Sequence, residues 1–203
     1  MKEKVLNSWM NIIKEHKNFD EVKLAEIKYG LEGIYLTFSK LIIISIIALI
    51  LGIFKEMVVF MVIYNVMRMP SFGLHAKKSW MCLLSSTITF IGVPLLSKYI
   101  VINNTIKFII GAISVILICV FSPADTEKRP IVNKRRRQVY KMLSTIIATI
   151  YIALAVVIEN SFISNCFLFA TILQNVLISP ITYKIFKLPY NNYKTYIAKY
   201  GLN

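Results

Sequence analysis

The 203-residue chain alternates long apolar stretches with short charged ones. Six apolar runs stand out: Leu41–Phe54, Met57–Met67, Met81–Val101, Phe108–Phe121, Met142–Ile158 and Phe162–Tyr183. They are continuous and do not alternate with period two, so they predict helices rather than the strands of a β-barrel. A backbone in lipid must satisfy its own hydrogen bonds, which an α-helix does. A full crossing takes about 20 apolar residues. The first two runs are shorter and are joined by Lys55-Glu56. They predict either tilted spans whose flanking Lys40, Lys55 and Arg68 snorkel to the interface, or a re-entrant pair covered by protein.

Residues 1–33 carry a different pattern. Val5, Trp9, Ile12 and Ile13 share one helical face, and Lys2, Lys14 and Lys17 lie elsewhere. Asn18-Phe19-Asp20-Glu21 has the form of a capping box, with Asn18 as N-cap and Glu21 at N3. A second amphipathic series follows at Leu24, Ile27, Leu31, Ile34, Tyr35 and Phe38. This predicts one or two helices lying on the membrane surface or on the protein's own cytoplasmic face. The expected fold is all-α: a polytopic membrane protein with six transmembrane helices, the first two short or re-entrant, preceded by amphipathic interfacial helices. The expected domains are residues 1–33 (amphipathic, cytoplasmic or interfacial), 34–183 (the six-helix transmembrane domain) and 184–203 (a cytoplasmic tail).

Composition agrees with a bilayer environment. The chain is 57% hydrophobic and 17% charged, with mean hydropathy +0.64, whereas a soluble domain is about a quarter charged. The net charge of +14 would suit nucleic acid, but the basic residues sit between apolar runs, as the positive-inside rule expects beside membrane spans. With six crossings and both termini cytoplasmic, all of the 24 Lys and Arg except Lys55, Lys98 and Lys107 fall on the cytoplasmic side. The expected location is the cell membrane, multi-pass, with no nucleic-acid partner. The N-terminus has no secretory-signal pattern. Three cysteines are too few and too scattered for a disulfide framework, and Cys119 and Cys166 read as membrane-buried hydrophobes.

The candidate chemistry lies in the segment Arg68-Met69-Pro70-Ser71-Phe72-Gly73-Leu74-His75-Ala76-Lys77-Lys78-Ser79-Trp80-Met81-Cys82. A cysteine nucleophile needs a thiolate, and a nearby imidazole can take its proton. On one straight helix His75 and Cys82 would share a face but stand about 10 Å apart, too far for a hydrogen bond. The chain must bend between them, or the histidine must come from a second subunit. Ser79 as N-cap would put Cys82 at N3, where free amides and the helix dipole favour a thiolate and Lys77 and Lys78 add positive potential. Equally ordinary roles exist: cysteine is common in membrane helices, and a histidine in a basic loop is often an interfacial side chain. No His-Glu-x-x-His motif or usual zinc ligand set is present, and no GxxxxGK[ST] loop. The polar Asn165, Gln174 and Asn175 of the sixth run either bond between helices or line a cavity.

This segment resembles the AgrB family, the accessory gene regulator processing proteases of Gram-positive bacteria. The matching residues are Arg68, Gly73, His75, Ala76 and Cys82, with the same His-x6-Cys spacing where a span begins. A second match is Ser122-Pro123-Ala124-Asp125-Thr126-Glu127-Lys128-Arg129-Pro130, followed by the basic run Lys134–Arg137. Many members carry two glycines before the residue preceding the histidine; here the first is Phe72. The resemblance implies a membrane cysteine endopeptidase with Cys82 as nucleophile and His75 as general base, without a cofactor or metal. It implies a partner: a small quorum-sensing precursor (AgrD-like) with an amphipathic N-terminus and an acidic C-terminal tail. The tail is cut off through a thioester, and the product cyclises to a thiolactone or lactone. A homodimer is also implied, and helix interfaces can form around Gly92, Gly111 and Ser114. Arg68 can pair with a substrate carboxylate or anchor at the interface. Asp125 or Glu127 can orient His75, cap a helix or make a polar turn. Lys134 and Arg135 can attract the acidic tail or serve topology alone. Gly73 and Ser79 complete the supporting candidates. The rival readings are a small peptide exporter and a non-catalytic membrane scaffold.

Overall fold

The computed structural model describes residues 2–16, 20–74, 79–126 and 129–201, and among these the regular structure is helical. The chain forms two compact units, Met1–Ile50 and Leu51–Asn203.

In the first unit, α1 (Lys2–His16) packs on α2 (Glu21–Ile50). Trp9 meets Tyr35 edge-on at 6.4 Å between ring centres. Leu6 and Met10 are buried, whereas Ile12 is 54% exposed, so the inward stripe of α1 is turned from the face read off the sequence. The second amphipathic series and the first apolar run are not separate elements. Both belong to the 30-residue α2, about 45 Å long at 1.5 Å per residue. Lys40 is one charge in a largely apolar run and is itself a good helix former, and no proline breaks the helix. Most of the first run thus continues a longer helix, which ends at Ile50. Asn18, the expected cap, lies outside the described residues.

The second unit contains α3 (Phe54–Ser71), α4 (Ser79–Thr87), a π-helical segment (Ile88–Gly92), α5 (Val93–Tyr99), α6 (Asn104–Phe121), α7 (Lys134–Val157) and α8 (Ser161–Ile178), followed by the shorter α9 (Pro180–Ile185) and α10 (Asn192–Tyr200). The π segment lies just before Pro94, which has no N–H for an ordinary helical bond, and the wider turn absorbs that mismatch. Among the described residues, five helical stretches are long and apolar enough to cross a membrane: Glu21–Ile50, Trp80–Tyr99, Asn104–Phe121, Lys134–Val157 and Ser161–Ile178. The chain is an all-α membrane protein.

The expected second span, α3, is not in that set, since it carries Lys55, Glu56 and Arg68. It buries one face instead. Met57, Phe60, Ile63, Tyr64, Met67 and Pro70 recur every three or four residues and pack toward α7 and α8. The Tyr151 hydroxyl of α7 donates to the Ile63 carbonyl at 2.7 Å. Phe60, Tyr64 and Phe90 form an aromatic cluster with ring centres 5.8–6.3 Å apart.

Hydrogen bonds fix the two ends of this bundle. At one end Lys98 pairs with Glu56 at 2.7 Å. Asn165 donates to the carbonyls of Ser97 and Ile100, and buried Lys107 donates to the Ser164 hydroxyl, which in turn donates to the Ala155 carbonyl. At the other end the last turns of α3, α6 and α8 come together. The sixth run stops at Ile178 rather than Tyr183. Ser179 precedes Pro180 and takes an extended conformation, accepting from the Ile181 amide as the cap of α9. Gly111 lets α6 approach α7, because a Cβ there would fall 2.5 Å from Ile152 Cγ2. The Ser114 carbonyl accepts from Asn175 of α8. Gly111 and Ser114 thus serve contacts within the chain, while a Cβ on Gly92 would meet open space.

Candidate active site

Helix α3 ends at Ser71, and Phe72–Leu74 form a strap across the bundle end. Among the described residues, the bonds holding the strap come from the last turn of α3, from the segment after α6 and from α8. The Phe72 amide donates to the Arg68 carbonyl at 3.0 Å, the Gly73 amide to the Ala124 carbonyl at 2.9 Å, and the Leu74 amide to the Leu177 carbonyl at 3.0 Å. The Ala124 amide returns a bond to the Ser71 carbonyl at 3.1 Å. Arg68 Nη2 donates to the Leu74 carbonyl at 3.0 Å, and its Nη1 to the Tyr64 hydroxyl at 2.8 Å. Gln174 Nε2 donates to the Phe72 carbonyl at 2.8 Å. Arg68 therefore directs both of these nitrogens to groups of its own chain.

Gly73 has φ +110°, and a Cβ there would stand 3.0 Å from the Leu177 carbonyl oxygen. Phe72 has φ 57° and ψ −129°, close to the first central position of a type II′ turn, where glycine is the usual residue. The departure from the two-glycine pattern thus leaves a glycine-like backbone carrying a phenylalanine. Its ring meets Tyr140 of α7 edge-on at 5.0 Å. Strain of about 1–3 kcal/mol is set against an aromatic pair worth about 0.5–1.5 kcal/mol plus burial. Phe72→Gly is expected to change stability little, whereas Phe72→Ala keeps the strain, loses the ring and lowers the unfolding free energy by about 1–3 kcal/mol. Thermal unfolding of the two variants in one detergent checks this.

The strap ends one residue before His75, which lies outside the described residues with Ala76, Lys77 and Lys78. The chain is described again from Ser79, the first residue of α4, and Cys82 is the fourth. Cys82 is half-buried, and its carbonyl accepts from the Ser85 hydroxyl at 3.1 Å. First-turn amides have no intrahelical acceptor and point out of the helix end. Cys119 is exposed on α6 and Cys166 is buried in α8. Among the described residues no group of His, Cys, Asp and Glu could hold a metal ion.

Asp125 is 4% exposed and caps α10 from a distance. Its Oδ1 accepts from the Asn192 amide at 3.0 Å and its Oδ2 from the Tyr193 amide at 2.7 Å. The flanking Asn191 makes no side-chain cap of its own. The Asp125 carbonyl accepts from the Tyr183 hydroxyl at 3.1 Å. Burial, then the nearby Asp125 charge, push the Tyr183 hydroxyl upward in pKa, so it stays a donor at neutral pH. Asp125 is committed to this cap, and Glu127 lies outside the described residues. Asp125→Asn turns one accepting oxygen into a donor and leaves one of the two amides unpaired, so it is expected to cost about 1–3 kcal/mol and to speed amide exchange at Asn192 and Tyr193, read by hydrogen exchange.

The basic run Lys134–Arg137 is not loop but the first turn of α7, with Asn133 accepting from the Arg136 amide at 3.0 Å. Cations at a helix N-terminus oppose the dipole, so the run adds to a positive end instead of neutralising it. Arg135 and Arg136 line a surface groove of about 300 Å³ with Asn133, Val139 and Tyr140. Tyr140 links this groove to the strap through Phe72. Arg137 lies 3.4 Å above the Tyr193 ring. Sequence reading gave no role to Tyr64 or Tyr140; for Tyr64 the signal was present, since it stands one helical turn before Arg68.

The chain resembles known proteins over most of its length. The sequence model of the family Accessory gene regulator B matches residues 6–178. A Listeria monocytogenes protein named AgrB-like is 33% identical over 187 residues, covering 91% of each chain. A Clostridium acetobutylicum protein of the same name is 29% identical over 181 residues, covering 89% of this chain and 87% of its own. The accessory gene regulator protein B of Staphylococcus carnosus is 29% identical over 160 residues, 79% of this chain and 83% of its own. No solved structure matches. With a family match that spans the strap, α4 and the basic helix α7, the chain belongs to the Accessory gene regulator B family, which acts in quorum sensing.

Proposed function

We propose that this protein is a membrane-embedded cysteine endopeptidase that removes the acidic C-terminal tail of a small quorum-sensing precursor and promotes cyclisation of the remaining peptide. The observation that carries the reading is the position of Cys82. It lies near the start of a membrane helix, a few residues after a strap held by the last turn of α3, the segment after α6 and α8. His75 takes the thiol proton, and the thiolate attacks the scissile carbonyl. Free first-turn amides of α4 stabilise the oxyanion. The carbon–nitrogen bond breaks, the proton on His75 passes to the departing amine, and the tail leaves. The acyl group stays on Cys82 as a thioester. A thiol inside the peptide then attacks that thioester and displaces Cys82, so acyl activation is conserved and the ring closes as a thiolactone. A hydroxyl in its place gives a lactone. Exclusion of water protects the thioester meanwhile.

Arg135 and Arg136, exposed in their groove beside Tyr140, support electrostatic docking of the acidic tail. The charge distribution supports cytoplasmic termini and a cytoplasmic site. The test uses the full-length protein in nanodiscs with the small peptide encoded beside its gene, the peptide's internal nucleophile replaced by alanine. Ring closure is then blocked, and intact-mass spectrometry is expected to find the truncated peptide joined to Cys82. Release of cut peptide without any adduct, or an adduct on Cys119 or Cys166, would overturn the mechanism. An exporter or scaffold leaves the peptide whole.

A further inference from the structure

We propose that Gln174 is a positioning residue for His75: from α8 it fixes the backbone on which the histidine is mounted. The inference rests on the reading of His75 as general base.

Gln174 is fully buried, and a buried amide is costly unless its bonds repay the lost hydration. Packing alone does not call for it, since a methionine fills similar space without polar atoms. Its Oε1 finds no hydrogen-bond partner among the described residues. The side chain makes one described bond, from Nε2 to the Phe72 carbonyl at 2.8 Å. That carbonyl belongs to the residue with φ 57° and ψ −129°. A non-glycine residue holds such a conformation only when its surroundings dictate it, and the direction of the Phe72 carbonyl follows directly from ψ.

The same helix supplies a second bond three residues later, from the Leu74 amide to the Leu177 carbonyl. Together they grip the strap on both sides of Gly73, which packs against Leu177 and Ile178. The remaining described bonds on the strap come from backbone groups or from Arg68. His75 follows Leu74 directly in the sequence. A turn of the Phe72–Gly73 peptide would swing everything after it. Proton transfer needs the imidazole within hydrogen-bond reach of the thiol, so loosening the mount should slow the chemical step more than it weakens peptide binding.

The experiment compares wild type, Gln174→Met and Gln174→Leu as full-length protein in nanodiscs, with Cys82→Ala as control. Both variants fill most of the space without a donor. Two readouts are taken: hydrogen exchange at the Gly73 and Leu74 amides, and kinetics of precursor cleavage. Gln174→Met is expected to speed both exchange rates by about tenfold or more. It should also lower kcat by about tenfold with KM changed less than about twofold. Melting temperature reports whether the variants remain folded; if Gln174→Met does not, Gln174→Leu carries the comparison with the same expectations. Unchanged exchange, or faster exchange with wild-type kcat beside an inactive Cys82→Ala, overturns this inference alone. A Cys82→Ala protein that still cleaves removes the peptidase reading and this inference together.

Discussion

On the proposed mechanism, Cys82→Ala is expected to abolish precursor cleavage, with kcat lowered by at least about 10⁴-fold, the scale seen when a covalent nucleophile is removed. The expectation follows from the proposed chemistry, since no thioester forms and the acyl group is never activated for ring closure. The structural cost is small. Cys82 is half-buried, so alanine removes one partly packed sulfur, and the melting temperature should stay near the wild-type value. Co-expression with the precursor and mass spectrometry of the secreted and cell-bound peptide reads the result. Intact precursor with a folded Cys82→Ala protein is the expected outcome. Cut or cyclised peptide at more than trace level would dismiss a nucleophilic Cys82. Cys119 and Cys166 serve as internal controls, because alanine at either should leave cleavage in place.

Gly73→Ala is expected to lower cleavage by about 100-fold and to destabilise the protein by about 2–4 kcal/mol. Two costs combine. An alanine at φ +110° is strained, and its Cβ would press on the Leu177 carbonyl oxygen at 3.0 Å and on Ile178 Cγ2 at 3.3 Å. Neither neighbour yields easily, since one is helix backbone and the other is buried. The strap has to lift, which breaks the Gly73–Ala124 and Leu74–Leu177 bonds just before His75, the general base of the proposed mechanism. Alkylation of Cys82 should slow together with cleavage, because both depend on the imidazole. Gly92→Ala, at an open position, is the matched control and should behave as wild type. A Gly73→Ala protein with wild-type cleavage and melting temperature would contradict the strap's role.

Much of the helical architecture was legible because hydrophobic period and helix caps are local signals. Asn103, Asn133 and Asn160 each precede a helix and cap it, as short polar residues do. Boundaries failed where a charge was read as a break. Lys40 does not interrupt α2, and Lys134–Arg137 begin α7 instead of preceding it. The Ser179-Pro180 stop lay in plain view inside the sixth run. The strap was not legible, since its bonds join residues far apart in the chain. Gln174 carried two open roles, and its bond to Phe72 spans 102 positions. Asp125 sits in a turn-forming local sequence, but its carboxylate caps a helix 67 positions away. Local spacing contains neither fact. The proposed pairing of His75 with Cys82 rests on the resemblance at Arg68, Gly73, His75, Ala76 and Cys82; spacing alone left ordinary roles open.

The span of these bonds has a consequence during synthesis. At about 5–20 residues per second, the ribosome needs roughly 5–20 s to travel the 102 positions that separate Phe72 from Gln174. Through that interval the segment carrying His75 lacks its anchors on α8. This end of the bundle can be finished only after the last apolar helix has been delivered, so a nascent or truncated chain in the membrane holds Phe72–Leu74 without their bonds to α8. On the proposed mechanism, cleavage then awaits translation of the membrane domain.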